Sequence, residues 1–303
     1  MKAIDKFTHD LSRTARAPSF ELSALMRRWP AVQKRAEEQR TKLKNTIPKD
    51  DPIRSTIDLL SPLGCLSDEI VHTQVISYLL DPSKTHAHGF ERSVLRRVLE
   101  QVKRAAANSD GGVVASLGRV LELLALQRAK VIVRPEFRYR IDGFRDRSLA
   151  RCDIRVDVSN GKRSALIIIE NKIGAPESKG QLGWYEKLER EWRKEHWSTG
   201  QEPVSLLLFL TRDGRPPTSA KESVWAKMSY LQLAAALRQV WSDYPNARGR
   251  HWLGFYISSL MSGVSGIQFE HLKDVPMEDI ETYLGTRMAS NRSGAQRRLG
   301  ARK

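Results

Sequence analysis

Cysteine is scarce: Cys65 and Cys152 are the only two in the 303-residue chain. Two thiols cannot build a disulfide framework or a cysteine-rich zinc site, and such sparse use suits a reducing compartment. Long apolar runs are also lacking. None reaches the roughly 18 residues of a membrane span, so no transmembrane helix and no membrane partner are expected. The first twenty residues, MKAIDKFTHDLSRTARAPSF, carry acidic groups and lack an apolar h-region. No secretory leader is therefore expected, and the expected location is cytoplasmic. There is no P-loop, no zinc-finger spacing, no helix-turn-helix signature and no internal repeat, so nothing points to ATP-driven action by this chain alone. Acidic residues are outnumbered: 35 Asp and Glu stand against 51 Lys and Arg, for a net charge of +16. That excess raises the odds of a polyanionic partner without saying which one.

What is present is ordinary globular material, 40% hydrophobic and 28% charged. That is enough for one large domain or two small ones. Residues 1–50 read as a basic helical extension in which Leu22, Leu25, Met26, Trp29 and Val32 are apolar and Pro30 is expected to kink or interrupt the helix. Residues 51–285 read as the main domain. Ser67 is the expected N-cap of a helix carrying Asp68 and Glu69 in its first turn and ending at Asp81-Pro82. A second helix is expected over Phe90–Ala106, a loop over 108–112 and a short helix near 117–127. Residues 286–303 hold six Lys or Arg and no acid, and read as a loosely ordered tail.

Past residue 130 the apolar period changes from 3.6 to 2. Strands are expected over Val131–Arg140, Cys152–Val158 and Ala165–Lys172, with a hairpin turn at Asn160-Gly161. The third strand is apolar on both faces, as a central strand would be. Glu177–Trp192 reads as an amphipathic helix with Leu182, Tyr185, Leu188 and Trp192 on one stripe; Val204–Leu210 reads as a fourth strand, and 230–241 and 252–260 as helices.

Chemistry concentrates at Asp153 and at Glu170-Asn171-Lys172. Residues i and i+2 of a strand share a face, so Glu170 and Lys172 project together. Antiparallel pairing through the Asn160-Gly161 turn would bring Asp153 beside Glu170. Two neighbouring carboxylates repel, and a hard divalent cation such as Mg²⁺ or Mn²⁺ relieves that repulsion, with the Asn171 backbone carbonyl as a further oxygen. Lys172 could orient or deprotonate an attacking water, or offset charge on a phosphoryl oxygen. A lone E-x-K is more often a strand-end salt bridge. Here five apolar residues, Ala165 to Ile169, precede it and bury the approach. Buried charges are costly unless paired or metal-bound.

The order Asp68-Glu69-Ile70-Val71-His72, Leu79-Leu80-Asp81-Pro82, Arg151-Cys152-Asp153-Ile154, Ile168-Ile169-Glu170-Asn171-Lys172-Ile173 and Gln181-Leu182-Gly183-Trp184-Tyr185 resembles the PD-(D/E)XK nuclease superfamily, in a bacterial branch with DI, IIENKI and QLxxY motifs. The likeness covers about residues 66–210. It implies an α/β restriction-endonuclease-like core: a mixed central β-sheet flanked by helices, with additional N- and C-terminal helices. It implies Asp153 and Glu170 as metal ligands, Glu69 as a helix glutamate reaching the metal, Lys172 as catalytic lysine, and Gln181 and Tyr185 as a catalytic Q-x-x-x-Y pair. Cys152 stands where the motif has proline. The implied activity is Mg²⁺-dependent hydrolysis of phosphodiester bonds, with Mn²⁺ as an alternative ion, on DNA ahead of RNA. A defence role against phage or mobile DNA follows by analogy, acting as a homodimer or with a defence-system partner protein; DNA repair or processing, or a catalytically inactive nucleic-acid-binding module, are the rivals.

Other polar residues carry two readings each. His72 either faces DNA or a carboxylate, or is satisfied within the core. His86 and His88 lack a third ligand at matching spacing and read as structural. Glu136 is a further candidate for the acidic cluster. Between residues 128 and 163 the local net charge is +6, and Arg138, Arg140, Arg145, Arg147, Arg151 and Arg155 read together as a phosphate-binding rim.

Overall fold

The computed structural model describes residues 19–55, 57–106, 111–139, 150–178, 180–197, 202–220 and 224–285. The tail at 286–303, Arg140, Arg145, Arg147 and the loop residues 108–110 lie outside the described residues. The chain forms two compact units, one made of 1–51 with 267–303 and the other of 52–266.

In the first unit, α1 (Ser19–Thr46) is continuous through Pro30. The expected interruption does not occur, although a proline there removes one i→i−4 hydrogen bond. Lys44 places its ammonium 4.8 Å from the centroid of the Phe269 ring, and the Tyr283 hydroxyl of α9 (Met277–Leu284) donates to Asp51 at 2.7 Å. The sequence pattern did not reveal α9.

The second unit is a five-stranded sheet in the order β1-β2-β3-β4-β5 with helices packed on it. The strands are β1 (Lys130–Tyr139), β2 (Ala150–Ser159), β3 (Ser164–Lys172), β4 (Val204–Thr211) and β5 (Trp225–Ser229). β1, β2 and β3 are antiparallel neighbours, while β3, β4 and β5 are parallel, so the sheet is mixed. This is the α/β restriction-endonuclease-like arrangement expected from the sequence, enlarged by β5. That five-residue strand is too short to carry a visible period.

The central place of β3 explains its apolar run: Ala165 to Ile169 are all 2% exposed or less. Asn160 and Gly161 make the β2–β3 turn, where Gly161 adopts the left-handed φ of 87° and the Asn160 side chain accepts from Lys162 N and Arg163 N. A parallel β3–β4 pair needs a crossover, which α6 (Gln181–His196) supplies. Its stripe of Leu182, Tyr185, Leu188 and Trp192 meets Leu166, Ile168, Leu207 and Phe209 in one core. The helix begins at residue 181 rather than 177, after left-handed Gly180.

Helices α2 (Glu69–Leu80) and α5 (Gly111–Ala125) also pack on the sheet, and α4 (Ser93–Ala105) packs on α7 (Tyr230–Asp243). Two boundaries differ from expectation. Asp68, not Ser67, caps α2, because its carboxylate accepts from both Ile70 N and Val71 N. α5 starts at Gly111, inside the expected loop. The short α3 (Thr85–His88) and α8 (Arg250–Ser258), continued by a π-helical turn over Ser259–Val264, complete the unit. Among the described residues no helix is long and apolar enough to cross a membrane.

Ile168 is completely buried at the heart of the sheet–α6 core. Ile168→Ala should lower the unfolding free energy by about 2–5 kcal/mol in urea titrations. Ile132→Ala, on half-exposed β1, should cost under about 1 kcal/mol.

Candidate active site

The site forms where the ends of β2 and β3 meet the first turns of α2 and α6. Glu170 and Lys172 follow Leu166 and Ile168 on the face that α6 covers. The β2–β3 ladder ends at Ile154 with Ile169, and the next residues, Asp153 and Glu170, bring their carboxyls together. Asp153 Oδ2 accepts from Asn171 N at 2.8 Å.

Glu170 is completely buried. Its Oε2 accepts from the Tyr185 hydroxyl at 2.7 Å, and its Oε1 lies 3.0 Å from Lys172 Nζ. Oε1 makes no aligned hydrogen bond, and the close neighbours of the Glu170 carboxyl on this side are the Lys172 ammonium and the Asp153 carboxyl. Burial, reinforced by the neighbouring Asp153 charge, pushes the Glu170 carboxyl up to about 8 despite Lys172. Asp153 is raised too, mainly by burial, with the Asn171 N–H working against the shift. Burial pulls Lys172 down, but Glu170, Glu69 and Asp153 more than offset it, and the ammonium is raised above its usual value. The cluster is short of positive charge. Among the described residues no group of three or more His, Cys, Asp or Glu forms a ready cage for a metal ion. Even so, two neighbouring buried carboxyls, one with an oxygen that makes no aligned hydrogen bond, are an oxygen donor set that fits a hard divalent cation.

Glu69, the first residue of α2, sits with its Oε2 3.4 Å from Lys172 Nζ. Its Oε1 accepts from three successive backbone N–H groups, Ile173 at 2.9 Å, Gly174 at 3.4 Å and Ala175 at 3.2 Å. One carboxylate oxygen is thus committed to shaping the chain that leaves β3.

Gln181 and Tyr185, one turn apart on α6, are joined: Gln181 Nε2 donates to the Tyr185 oxygen at 2.9 Å. The single phenolic proton then serves either Glu170 Oε2 or the Arg151 carbonyl at 2.8 Å. Tyr185 is fully buried, a core aromatic whose hydroxyl holds one site carboxylate.

His72 is a core residue, which settles its two readings. Its Nε2 faces the Leu66 carbonyl at 3.1 Å and must donate, leaving Nδ1 to accept from the Tyr256 hydroxyl at 3.0 Å. Burial lowers its pKa, in keeping with a neutral ring. His88 accepts from Phe90 N and donates to the Asp81 carbonyl, the structural role expected for this loop. Glu136 pairs with Arg151 at 2.6 Å and adopts a left-handed φ of 52° within β1. Phe137 lies under Arg155, 4.5 Å from guanidinium to ring centroid, and also under Arg134 at 5.8 Å. Arg134 and Arg155 both engage Asp157. Arg138 is exposed. Cys152 is buried with its thiol pushed up to about 12, by burial first and Asp153 second, so it stays protonated.

Two contributors escaped the sequence reading. Thr73 of α2 and Tyr230 at the start of α7 both bond the Asn171 side chain. The Ser229-x-x-Gln232 capping box was the available signal for α7, since both of its reciprocal bonds form.

Glu170 titrates higher in the fold than its ordinary 4.5, so between that value and about 8 the native state binds more protons than the unfolded chain. Its contribution is complete below 4.5 and is lost as pH rises towards 8. In chelator, the melting temperature should fall across this window, and Glu170→Gln should flatten the fall and melt higher than wild type at pH 8. An unchanged slope in the variant would show that the carboxyl is not the source.

No curated protein and no solved structure gave a match to the chain. The model of the PD-(D/E)XK nuclease superfamily matches residues 57–254, well over half of the chain and all but the edges of the sheet-bearing unit. With that match and a mixed sheet carrying Asp153, Glu170 and Lys172 at adjoining strand ends, the chain belongs to the PD-(D/E)XK nuclease superfamily.

Proposed function

We propose that this nuclease-family chain hydrolyses phosphodiester bonds of DNA with Mg²⁺, or Mn²⁺ in its place, held by Asp153, Glu170 and the Asn171 carbonyl. The observation that carries the reading is the buried Glu170 Oε1, which has no hydrogen bond and lies 3.0 Å from Lys172 Nζ with Asp153 alongside. A bound divalent ion would act as a Lewis acid and relieve the repulsion between the carboxylates.

The chain's own groups have distinct tasks in this scheme. Lys172 stays protonated beside the acidic side chains of Glu69, Asp153 and Glu170 and offsets negative charge gathering on the phosphoryl oxygens. That charge state favours electrostatic stabilisation over proton abstraction. Glu69 is fixed on the 173–175 backbone and steadies the ammonium from its other side. Tyr185, itself held by Gln181, ties down Oε2 of Glu170 and so leaves Oε1 facing the site. Exposed Arg138 and Arg151, paired across β1 and β2 at the site end of the sheet, supply sequence-independent contacts to the nucleic-acid backbone. Action on phage or mobile DNA is the role that best fits the motif resemblance.

A cleavage panel tests this: linear, circular, nicked and single-stranded DNA, and RNA, each with Mg²⁺ or Mn²⁺. Wild-type protein should cut DNA, and Lys172→Ala should reduce the rate by about 10²–10³-fold while leaving DNA binding in place. Wild-type protein that binds DNA but cuts nothing with either ion would replace this reading with that of a binding module. Cleavage confined to RNA would overturn the substrate.

A further inference from the structure

Asn171 stands between Glu170 and Lys172, yet its side chain turns to the opposite face of the sheet. There it is completely buried, and its hydrogen-bonding groups are all engaged. The amide nitrogen donates to the Glu69 carbonyl and to Thr73 Oγ1, each at 3.1 Å, and the amide oxygen accepts from the Tyr230 hydroxyl. On the backbone, Asn171 N donates to Asp153 Oδ2 at 2.8 Å. We propose that Asn171 is a positioning residue that clamps α2 and α7 to the end of β3 and so sets the spacing of Asp153, Glu170 and Lys172.

Through its amide nitrogen, Asn171 holds the carbonyl of Glu69, the residue whose carboxylate faces Lys172. Its backbone N–H holds Asp153 directly. Shifting Asn171 therefore moves both the acid opposite Glu170 and the acid beside Lys172. Only an amide offers two donors and an acceptor here at once. Aspartate would set an oxygen against the Glu69 carbonyl, and an apolar residue would leave that carbonyl and two hydroxyls without their partner. Tyr230 holds the amide oxygen from α7 and meets His72 edge-on, ring centroids 5.4 Å apart, so the clamp has its own support.

The inference rests on the proposed metal site, and its test reads Mn²⁺ binding without nucleic acid. Calorimetric titration of the full chain with Mn²⁺ compares wild type, Asn171→Ala, Tyr230→Phe and the destabilised core variant Ile168→Ala. Groups that orient metal ligands typically alter affinity or activity about 10–100-fold, so Asn171→Ala should weaken Mn²⁺ by at least about 10-fold. Tyr230→Phe should weaken it less, and Ile168→Ala by under about 2-fold. In cleavage assays Asn171→Ala should lower kcat about 10–100-fold with KM for DNA nearly unchanged. If Asn171→Ala fails to fold, Tyr230→Phe, which removes one oxygen, decides the matter. Variants that lose stability but bind Mn²⁺ like wild type would overturn the proposal. A wild-type chain that binds Mn²⁺ yet cuts nothing sinks the nuclease reading while the affinity comparison still tests Asn171. A wild-type chain that binds no Mn²⁺ overturns both.

Discussion

Glu170 is a carboxylate with no solvent exposure, near the end of a central strand, with Asp153 beside it. Taking a charge into such a place is expensive unless other groups replace water. Much of the surrounding structure answers that demand. Lys172 lies two residues on along the same face, Tyr185 reaches in from α6, and the Asn171 backbone N–H meets the neighbouring acid. The compensation is incomplete, since both carboxyls remain raised and one oxygen of Glu170 has no hydrogen bond. A cluster left short of positive charge is what the proposed divalent ion would complete.

The same strand serves two faces with different duties. Towards α6 it presents Leu166, Ile168, Glu170 and Lys172, so apolar packing runs straight into the ionic cluster without an intervening loop. On the other face Asn171 meets α2 and α7 through a saturated set of hydrogen bonds. Mounting charged groups on a strand buried on both sides limits their freedom more than a loop would. That rigidity is useful where atoms must be held to fractions of an ångström. Glu69 extends the arrangement by bracing the turn after Lys172 with three backbone hydrogen bonds.

Legibility in the sequence varied with the range of the interaction. β3 and the stripe of α6 were readable because local periodicity reports burial directly. Asp153, Glu170 and Lys172 stood out because charges follow an apolar run, and the Asn160-Gly161 turn predicted the pairing that brings them together. β5 and α9 were not legible, being too short for a period to emerge. The extension of α5 to Gly111 also ran against propensity, because two glycines ordinarily signal a loop. Pro30 reads as a break in local terms and is carried inside α1 nonetheless.

The sequence by itself determined the strand pattern, the placing of Glu170 and Lys172 on one face of β3, and the neighbouring of Gln181 and Tyr185, because each depends on residues a few positions apart. Tertiary structure alone decided what those groups do to one another. It assigned His72 to the core between Leu66 and Tyr256, and it committed one oxygen of Glu69 to the 173–175 backbone. It also turned Asn171 into a junction for partners 98 and 59 positions away, Thr73 and Tyr230. Hydrogen bonds of that range depend on how helices dock against a sheet. A one-dimensional pattern carries the period of each element but not the direction from which its neighbours arrive.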